Sequence, residues 1–139
     1  MIKSKVGFIG AGYMGYGMAK NLIKNFDVYV IAHKNRKPIE KLVKFGATEV
    51  ISYKQLFSHN LDCLMMCVTN THIANIIAKE IVSIINNELL IIDLTTHHQY
   101  GAIEINNIFK TKKIKYTISP VMGGPVQSEE GVLGGIWGG

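Results

Sequence analysis

Short apolar runs alternate along the chain with segments whose apolar residues recur at the spacing of a helix. The runs are rich in Val, Ile, Leu and Met, which is typical of strands buried in a parallel sheet. This pattern predicts strands at residues 6–9, 27–32, 48–51, 61–68, 89–94 and 114–118, and a seventh strand at 133–137.

Helices are predicted between these strands. The clearest is segment 73–85, where isoleucines recur at positions 73, 76, 77, 81 and 84 after a Thr-Asn-Thr sequence that can cap the helix. Further helices are expected at 18–25, 38–45 and 99–110, with at most a brief helix at 53–59. Strands and helices that alternate in this way form βαβ units, so we predict a single α/β domain with a doubly wound parallel sheet, Rossmann-like.

A glycine motif connects the first predicted strand to the first helix. The sequence there is Gly10-x-Gly12-x-x-Gly15. In a dinucleotide-binding turn, the first glycine allows a tight turn, the second lets the backbone approach a pyrophosphate, and the third lets the helix pack on the strand. The positive end of the helix then faces the phosphates. The strand before the motif and the helix after it favour this interpretation over a plain strand-turn-helix without a ligand.

A basic turn, His33-Lys34-Asn35-Arg36, follows the second predicted strand. The end of this strand meets the adenosine ribose in dinucleotide-binding folds, and an acidic residue there binds the 2′-hydroxyl of NAD. The turn has no acidic residue, which also disfavours a methyltransferase, and it offers two cations that suit the 2′-phosphate of NADP. It therefore predicts NADP rather than NAD. The alternative is a solvated basic turn without a ligand.

Polar residues follow three of the predicted strands. They are residues 33–36, Thr69-Asn70 and Thr95-Thr96. Ligands of doubly wound sheets bind beyond the carboxyl ends of the strands, so these residues are expected to belong to one site.

Composition excludes several classes of partner. The formal net charge of +5 would suit an anionic partner, but the lysines are scattered and do not alternate with aromatic residues, so nucleic-acid binding is not expected. No apolar run reaches the ~18–20 residues that a membrane span needs. Neither nucleic acid nor membrane is therefore predicted as a partner.

The cysteines and histidines do not indicate a metal site or a disulfide. Cys63 and Cys67 lie in one predicted strand, roughly 13 Å apart in an extended chain, too far for a disulfide or a shared metal. They are expected to be small buried side chains in a reducing, cytoplasmic compartment. His97 and His98 are adjacent and point apart, so we expect a polar loop and no bound metal.

Five segments occur in a fixed order along nearly the whole chain. They are the glycine motif with its helix (7–22), the basic turn with Gly46-Ala47, Cys67-Val68-Thr69-Asn70, Asp93-Leu94-Thr95-Thr96, and residues 120–125 with 131–133. In these segments the chain resembles the N-terminal NAD(P)-binding domain of the 3-hydroxyisobutyrate / 6-phosphogluconate (β-hydroxyacid) dehydrogenase superfamily. The resemblance implies an oxidoreductase that transfers a hydride between NADP and a small 3-hydroxyacid or a related carbonyl.

The resemblance also implies which residues hold the cofactor. The pyrophosphate would lie against Gly10, Ala11, Gly12, Tyr13, Met14 and Gly15. The adenosine end would be bound by His33, Lys34, Asn35 and Arg36. The path to the nicotinamide would be lined by Val68, Thr69 and Asn70, with Thr96 beside the nicotinamide ribose.

The implied substrate site is the loop Met122-Gly123-Gly124, whose backbone N–H groups would bind a small carboxylate. Members of the superfamily commonly have a serine at the position of Met122, and a methionine cannot donate its hydrogen bond. An imine or other carbonyl reduction is therefore an alternative reaction.

The superfamily also has an all-helical second domain, which carries a catalytic lysine, closes the pocket and builds the dimer. No lysine of this chain lies in the matching motif, so no catalytic residue is assigned. We expect residues 1–139 to be a truncated NADP-binding domain that is not catalytic alone. The alternative is a non-catalytic nucleotide-binding or interaction module. The apolar segment 132–137, which would contact the helical domain, predicts self-association through the exposed C-terminal strand.

Overall fold

The protein is described here by a computed structural model of residues 2–112 and 114–138. Six strands form one parallel sheet in the order β3-β2-β1-β4-β5-β6. The strands are β1 (Lys5–Ile9), β2 (Asp27–Ile31), β3 (Thr48–Val50), β4 (Cys63–Met66), β5 (Leu90–Asp93) and β6 (Lys115–Ile118). The helices are α1 (Gly15–Leu22), α2 (Lys37–Phe45), α3 (Tyr53–Ser58), α4 (Thr71–Ile81), α5 (Gln99–Lys110) and α6 (Pro125–Glu130). The predicted doubly wound α/β fold is confirmed.

The helices cover both faces of the sheet. On one face, α1 and α2 pack over buried residues such as Phe8, Val30 and Leu42. On the other face, α3, α4 and α5 enclose a second cluster that includes Leu64 and Phe109. Burial on both faces explains why the central strands β1, β4 and β5 are mainly apolar.

Local side-chain contacts set several helix ends. Asn70 precedes α4 in an extended conformation, and its side-chain oxygen accepts a hydrogen bond from the N–H of Ile73. The cap starts α4 two residues before the predicted start at position 73. Gly46 ends α2 with a φ of 117°, a conformation that favours glycine.

The predicted seventh strand is wrong in length and in place. Only Gly134–Gly135, here β8, is extended, and it pairs antiparallel with β7 (Val121–Met122) outside the six-stranded sheet. Glycine has no side chain to pack and loses more backbone entropy on ordering than other residues, which is consistent with a pairing of only two residues. Gly138 then makes a single antiparallel bridge with Ile118 of β6.

The sheet order creates a crevice at its carboxyl edge. From β1 the chain proceeds outward to β2 and β3, and then returns to β4 on the other side of β1. Connections that diverge from neighbouring strands leave room between the loops that follow them. In the described part of the chain, no helix has the length and apolar character that a membrane crossing requires.

Candidate functional site

The glycine loop lies in this crevice, between β1 and β4. Ile9 and Met66 are register partners at the ends of the two strands, and the N–H of Cys67 donates to the carbonyl of Ile9 at 2.9 Å. Gly10 follows β1 at once, and α1 begins five residues later, at Gly15. The first-turn N–H groups of α1 therefore point toward the loop, as a bound anion requires.

Two glycines of the loop are required by the fold. Gly10 has a φ of 96°, and a Cβ atom there would lie 1.9 Å from the carbonyl oxygen of Cys67. A Cβ atom on Gly15 would lie 1.9 Å from the carbonyl oxygen of Gly10. The close packing of strand, turn and helix thus accounts for both residues.

Gly12 differs from these two. A Cβ atom there would have no neighbour within 4 Å, and its φ lies outside the left-handed range. Its backbone is exposed at the mouth of the crevice. The fold would accept a side chain at this position, whereas a ligand that must approach the backbone closely would not.

A groove of about 460 Å³ extends from Gly12 to α2. Its lining includes Tyr16 of α1 and two lysines of α2, Lys37 and Lys41. The sequence interpretation did not include these lysines. The sequence shows that the two lysines are four residues apart and so share one face of a helix. It does not show that this face lies beside the glycine loop.

The basic turn lies at the end of β2, and residues 33–36 are all exposed. Arg36 is not an isolated cation, because its two terminal nitrogens lie 2.7 and 3.1 Å from the carboxylate oxygens of Glu49 on β3. The hydrogen bond and charge of Glu49 raise the pKa of Arg36. Asn35 accepts a hydrogen bond from the N–H of Lys37 and so joins the turn to α2.

The loops after β4 and β5 meet at the same edge, as expected. The N–H of Val68 donates to the side-chain oxygen of Thr95 at 3.0 Å. Thr69, Asn70 and Thr96 are exposed beside this contact. The structure thus places these polar residues together on the far side of β1 from the basic turn.

A buried polar cluster underlies these loops, and the sequence interpretation missed it. Asp93 is fully buried, and its carboxylate accepts from the hydroxyl of Tyr116 at 2.7 Å and lies 2.6 Å from Nε2 of His97. Burial, then the Asp93 charge, raise the pKa of Tyr116, so its hydroxyl stays protonated as a donor. His97 lies in the loop expected between β5 and α5, but its side chain is only 2% exposed. His98 does lie at the surface, where it caps α5 by accepting from Gly101.

The proposed substrate loop lies near α1. Met122 is 57% exposed, and Gly123 has a φ of 130°. The N–H of Gly124 donates to the side-chain oxygen of Gln127 at 2.8 Å, so in this conformation it is not free to bind a carboxylate. The hydroxyl of Ser128, in α6, donates to the carbonyl of Met14, which ties this segment to the glycine loop.

The two cysteines are free and partly buried. Burial, followed by the nearby charges of Asp62 and Asp93, raises the pKa of each thiol to about 11. Both thiols are therefore protonated and unreactive at neutral pH. Within residues 2–112 and 114–138, no three His, Cys, Asp or Glu side chains are grouped to hold a metal ion.

Comparisons with known proteins agree with the fold. Residues 5–139 match the family described as the NAD binding domain of 6-phosphogluconate dehydrogenase. An uncharacterized oxidoreductase of Synechocystis is 28% identical over 135 residues, which are 94% of this chain and 46% of that protein. The chain thus spans about half the length of the curated relatives it matches.

Solved structures share the fold at low sequence identity. The 3-hydroxyisobutyrate dehydrogenase of Mycobacterium tuberculosis, solved with L-serine, has a TM-score of 0.91 at 18% identity and covers all of this chain and 47% of its own. Psf3, solved with NADP+ and 2-OPP, has a TM-score of 0.84 at 23% identity, over 95% of this chain and 48% of its own.

Proposed function

Because the chain belongs to the family of the NAD binding domain of 6-phosphogluconate dehydrogenase, as its motifs predict, we propose that the crevice binds NADP for hydride transfer. The observation that carries this proposal concerns Gly12. The fold has room for a side chain at this position, yet the residue is a glycine. The loop residues Ala11, Tyr13 and Met14 complete the backbone that would cradle the pyrophosphate.

The preference for NADP rests on the charge of the adenosine end. Lys34 and Arg36 follow β2, and Lys37 and Lys41 line the adjoining groove. Glu49 offsets part of the charge of Arg36 and orients its guanidinium. Because Arg36 is engaged in this way, the lysines are the more available donors to a phosphate. No acidic residue occupies positions 33–36, where a carboxylate would repel a 2′-phosphate.

Alanine at both Lys34 and Arg36 is expected to weaken NADPH binding about tenfold or more and to change NADH binding little. NADPH would lose two charge-assisted contacts to its 2′-phosphate, whereas NADH has only a hydroxyl at that position. Titration of nicotinamide fluorescence measures both affinities. Lys110→Ala, which removes an exposed charge at the end of α5, is the matched control.

Equal losses for the two cofactors would contradict a 2′-phosphate site at the turn. A preference of the unmodified chain for NADH would contradict the assignment of NADP itself. If alanine at Lys37 and Lys41 gave the selective loss instead, the 2′-phosphate would lie in the groove beside α2.

The proposed reaction is hydride transfer between NADP and a small 3-hydroxyacid or related carbonyl. The bound nicotinamide would supply or accept the hydride. The segment Met122-Gly123-Gly124 would contact the substrate. The exposed thioether of Met122 offers no hydrogen-bond donor to a carboxylate. This favours an imine or an uncharged carbonyl as the second candidate substrate. We expect residues 1–139 to bind cofactor without turnover, because none of their lysines lies in the superfamily's catalytic motif.

We also propose that the protein functions in the cytoplasm. Cys63 and Cys67 are free and lie in an internal strand and the turn that follows it. Unpaired thiols are typical of reducing compartments.

Self-association is expected through the C-terminal surface. Met122, Val126, Val132, Ile136 and Trp137 are each more than half exposed there. A second copy would cover these apolar side chains, and apolar surface of this kind favours association. Light scattering of the 139-residue chain should give a mass above that of the monomer, and serine at Ile136 and Trp137 should reduce it. A monomeric parent chain that does not bind a hydrophobic dye would contradict this surface as an interface.

A further inference from the structure

Asp93 is the centre of a hydrogen-bond cluster whose members are not themselves among the proposed cofactor contacts. Its Oδ1 accepts from the N–H of Thr95 at 2.9 Å. Its Oδ2 accepts from the Tyr116 hydroxyl and contacts Nε2 of His97. A buried carboxylate is costly unless it is fully hydrogen-bonded, so these three partners hold each other in fixed positions.

Two residues of this cluster reach the loop between β4 and α4. The side-chain oxygen of Thr95 accepts from the N–H of Val68, and Nδ1 of His97 lies 3.0 Å from the side-chain oxygen of Thr71. These contacts lie on either side of Thr69 and Asn70, which are themselves exposed. The loop is therefore fastened at both ends to residues that Asp93 positions.

The hydrogen bonds have a consistent direction in the neutral form of His97. Its Nε2–H donates to the carboxylate of Asp93, which leaves Nδ1 as an acceptor for the hydroxyl of Thr71. A glutamine amide offers the same pair of functions, one donor and one acceptor, on a side chain of comparable reach. An alanine offers neither.

The fastened loop lies over β4 and β5, on the opposite side of β1 from the basic turn. A dinucleotide whose adenosine lies at the end of β2 extends across the sheet toward β4 and β5. Thr69, Asn70 and Thr96 are thus on the side of the nicotinamide half. Thr95 and His97 of the buried cluster contact Val68 and Thr71, the residues on either side of Thr69 and Asn70.

We propose that His97 and Asp93 are positioning residues for the nicotinamide half of the cofactor. They hold the β4–α4 loop and Thr96 in the arrangement that receives this half, and they contribute nothing to the adenosine half. This role rests on the proposed function, because it concerns the same cofactor. Tyr116 supports it by keeping the Asp93 carboxylate in place from β6.

The test compares two ligands that differ in the nicotinamide half. NADPH has it, whereas adenosine 2′,5′-bisphosphate has the adenosine and its 2′-phosphate only. His97→Ala and Thr71→Val are expected to weaken NADPH binding about tenfold and to leave the affinity for adenosine 2′,5′-bisphosphate within about twofold. His97→Gln is expected to restore most of the NADPH affinity. Nicotinamide fluorescence of the bound NADPH should change in the alanine variant and recover in the glutamine variant.

Two controls separate positioning from loss of stability. Ile105→Val removes a methyl group from the core of α5 and should lower stability without distinguishing the ligands. His98→Ala removes the neighbouring cap of α5 and should likewise affect both ligands equally or not at all. Thr71→Val keeps the shape of the side chain, so a folded variant is available if His97→Ala does not fold.

The outcomes distinguish the two proposals. Equal loss of both ligands, or no loss of either, in His97→Ala and Thr71→Val would overturn the positioning role and leave NADP binding intact. Failure of the unmodified chain to bind NADPH would overturn the proposed function, and the positioning role with it.

Discussion

A Gly12→Ala variant is expected to be at least as stable as the parent chain and to bind NADPH about tenfold more weakly or worse. The added methyl group would meet nothing within 4 Å, and the backbone there is not left-handed. Such a change reduces the entropy of the unfolded chain and stabilises a protein by about 0.4–1 kcal/mol. The same methyl group would occupy the open space through which a pyrophosphate approaches the loop. A tenfold loss of NADPH affinity corresponds to about 1.4 kcal/mol of binding free energy.

Thermal unfolding and an NADPH titration on the same samples measure the two effects separately. Gly135→Ala, in β8, is the matched control, because its Cβ atom would be in ordinary contact, 3.4 Å from the Ser119 side chain. Undiminished NADPH affinity in Gly12→Ala would contradict a pyrophosphate site at this loop. A large loss of stability would show that Gly12 is required by the fold.

A Gly15→Ala variant is expected to lose about 3 kcal/mol of unfolding free energy. Alanine is favoured over glycine in a helix by about 1 kcal/mol, which alone would stabilise α1. The overlap is the larger effect, because the Cβ atom would lie 1.9 Å from the Gly10 carbonyl oxygen and 2.9 Å from the Phe8 ring. The carbonyl belongs to the backbone and cannot rotate away as a side chain can, so strand and helix must separate.

The melting temperature of Gly15→Ala should fall by about 10 °C, since 1 kcal/mol shifts it by a few degrees in a domain of this size. Gly12→Ala serves as the internal control, because it is the same substitution three residues earlier. A Gly15→Ala variant as stable as the parent would contradict the close packing of β1, the glycine loop and α1.

The sheet and its glycine loop could be predicted from the sequence because their signals are local. The apolar runs and the Gly10-x-Gly12-x-x-Gly15 spacing each lie within a short segment. Segment 133–137 misled the prediction because its apolar residues resemble a strand, whereas only Gly134 and Gly135 pair with a neighbouring strand.

Contacts between distant segments could not be predicted in the same way. Asp93, His97 and Tyr116 lie on β5, the following loop and β6, and only the parallel register brings them together. The ion pair of Arg36 with Glu49 likewise depends on the pairing of β2 with β3. Nothing in the sequence near His97 distinguishes a buried, paired imidazole from an exposed one.

Calorimetric titration of the 139-residue chain with NADPH and with NADH tests most directly whether the crevice beside Gly12 binds a nicotinamide dinucleotide phosphate. We predict saturable binding of one NADPH per chain, with NADH bound more weakly. Tighter binding of NADH would contradict the assignment of NADP, and no binding of either would contradict the site.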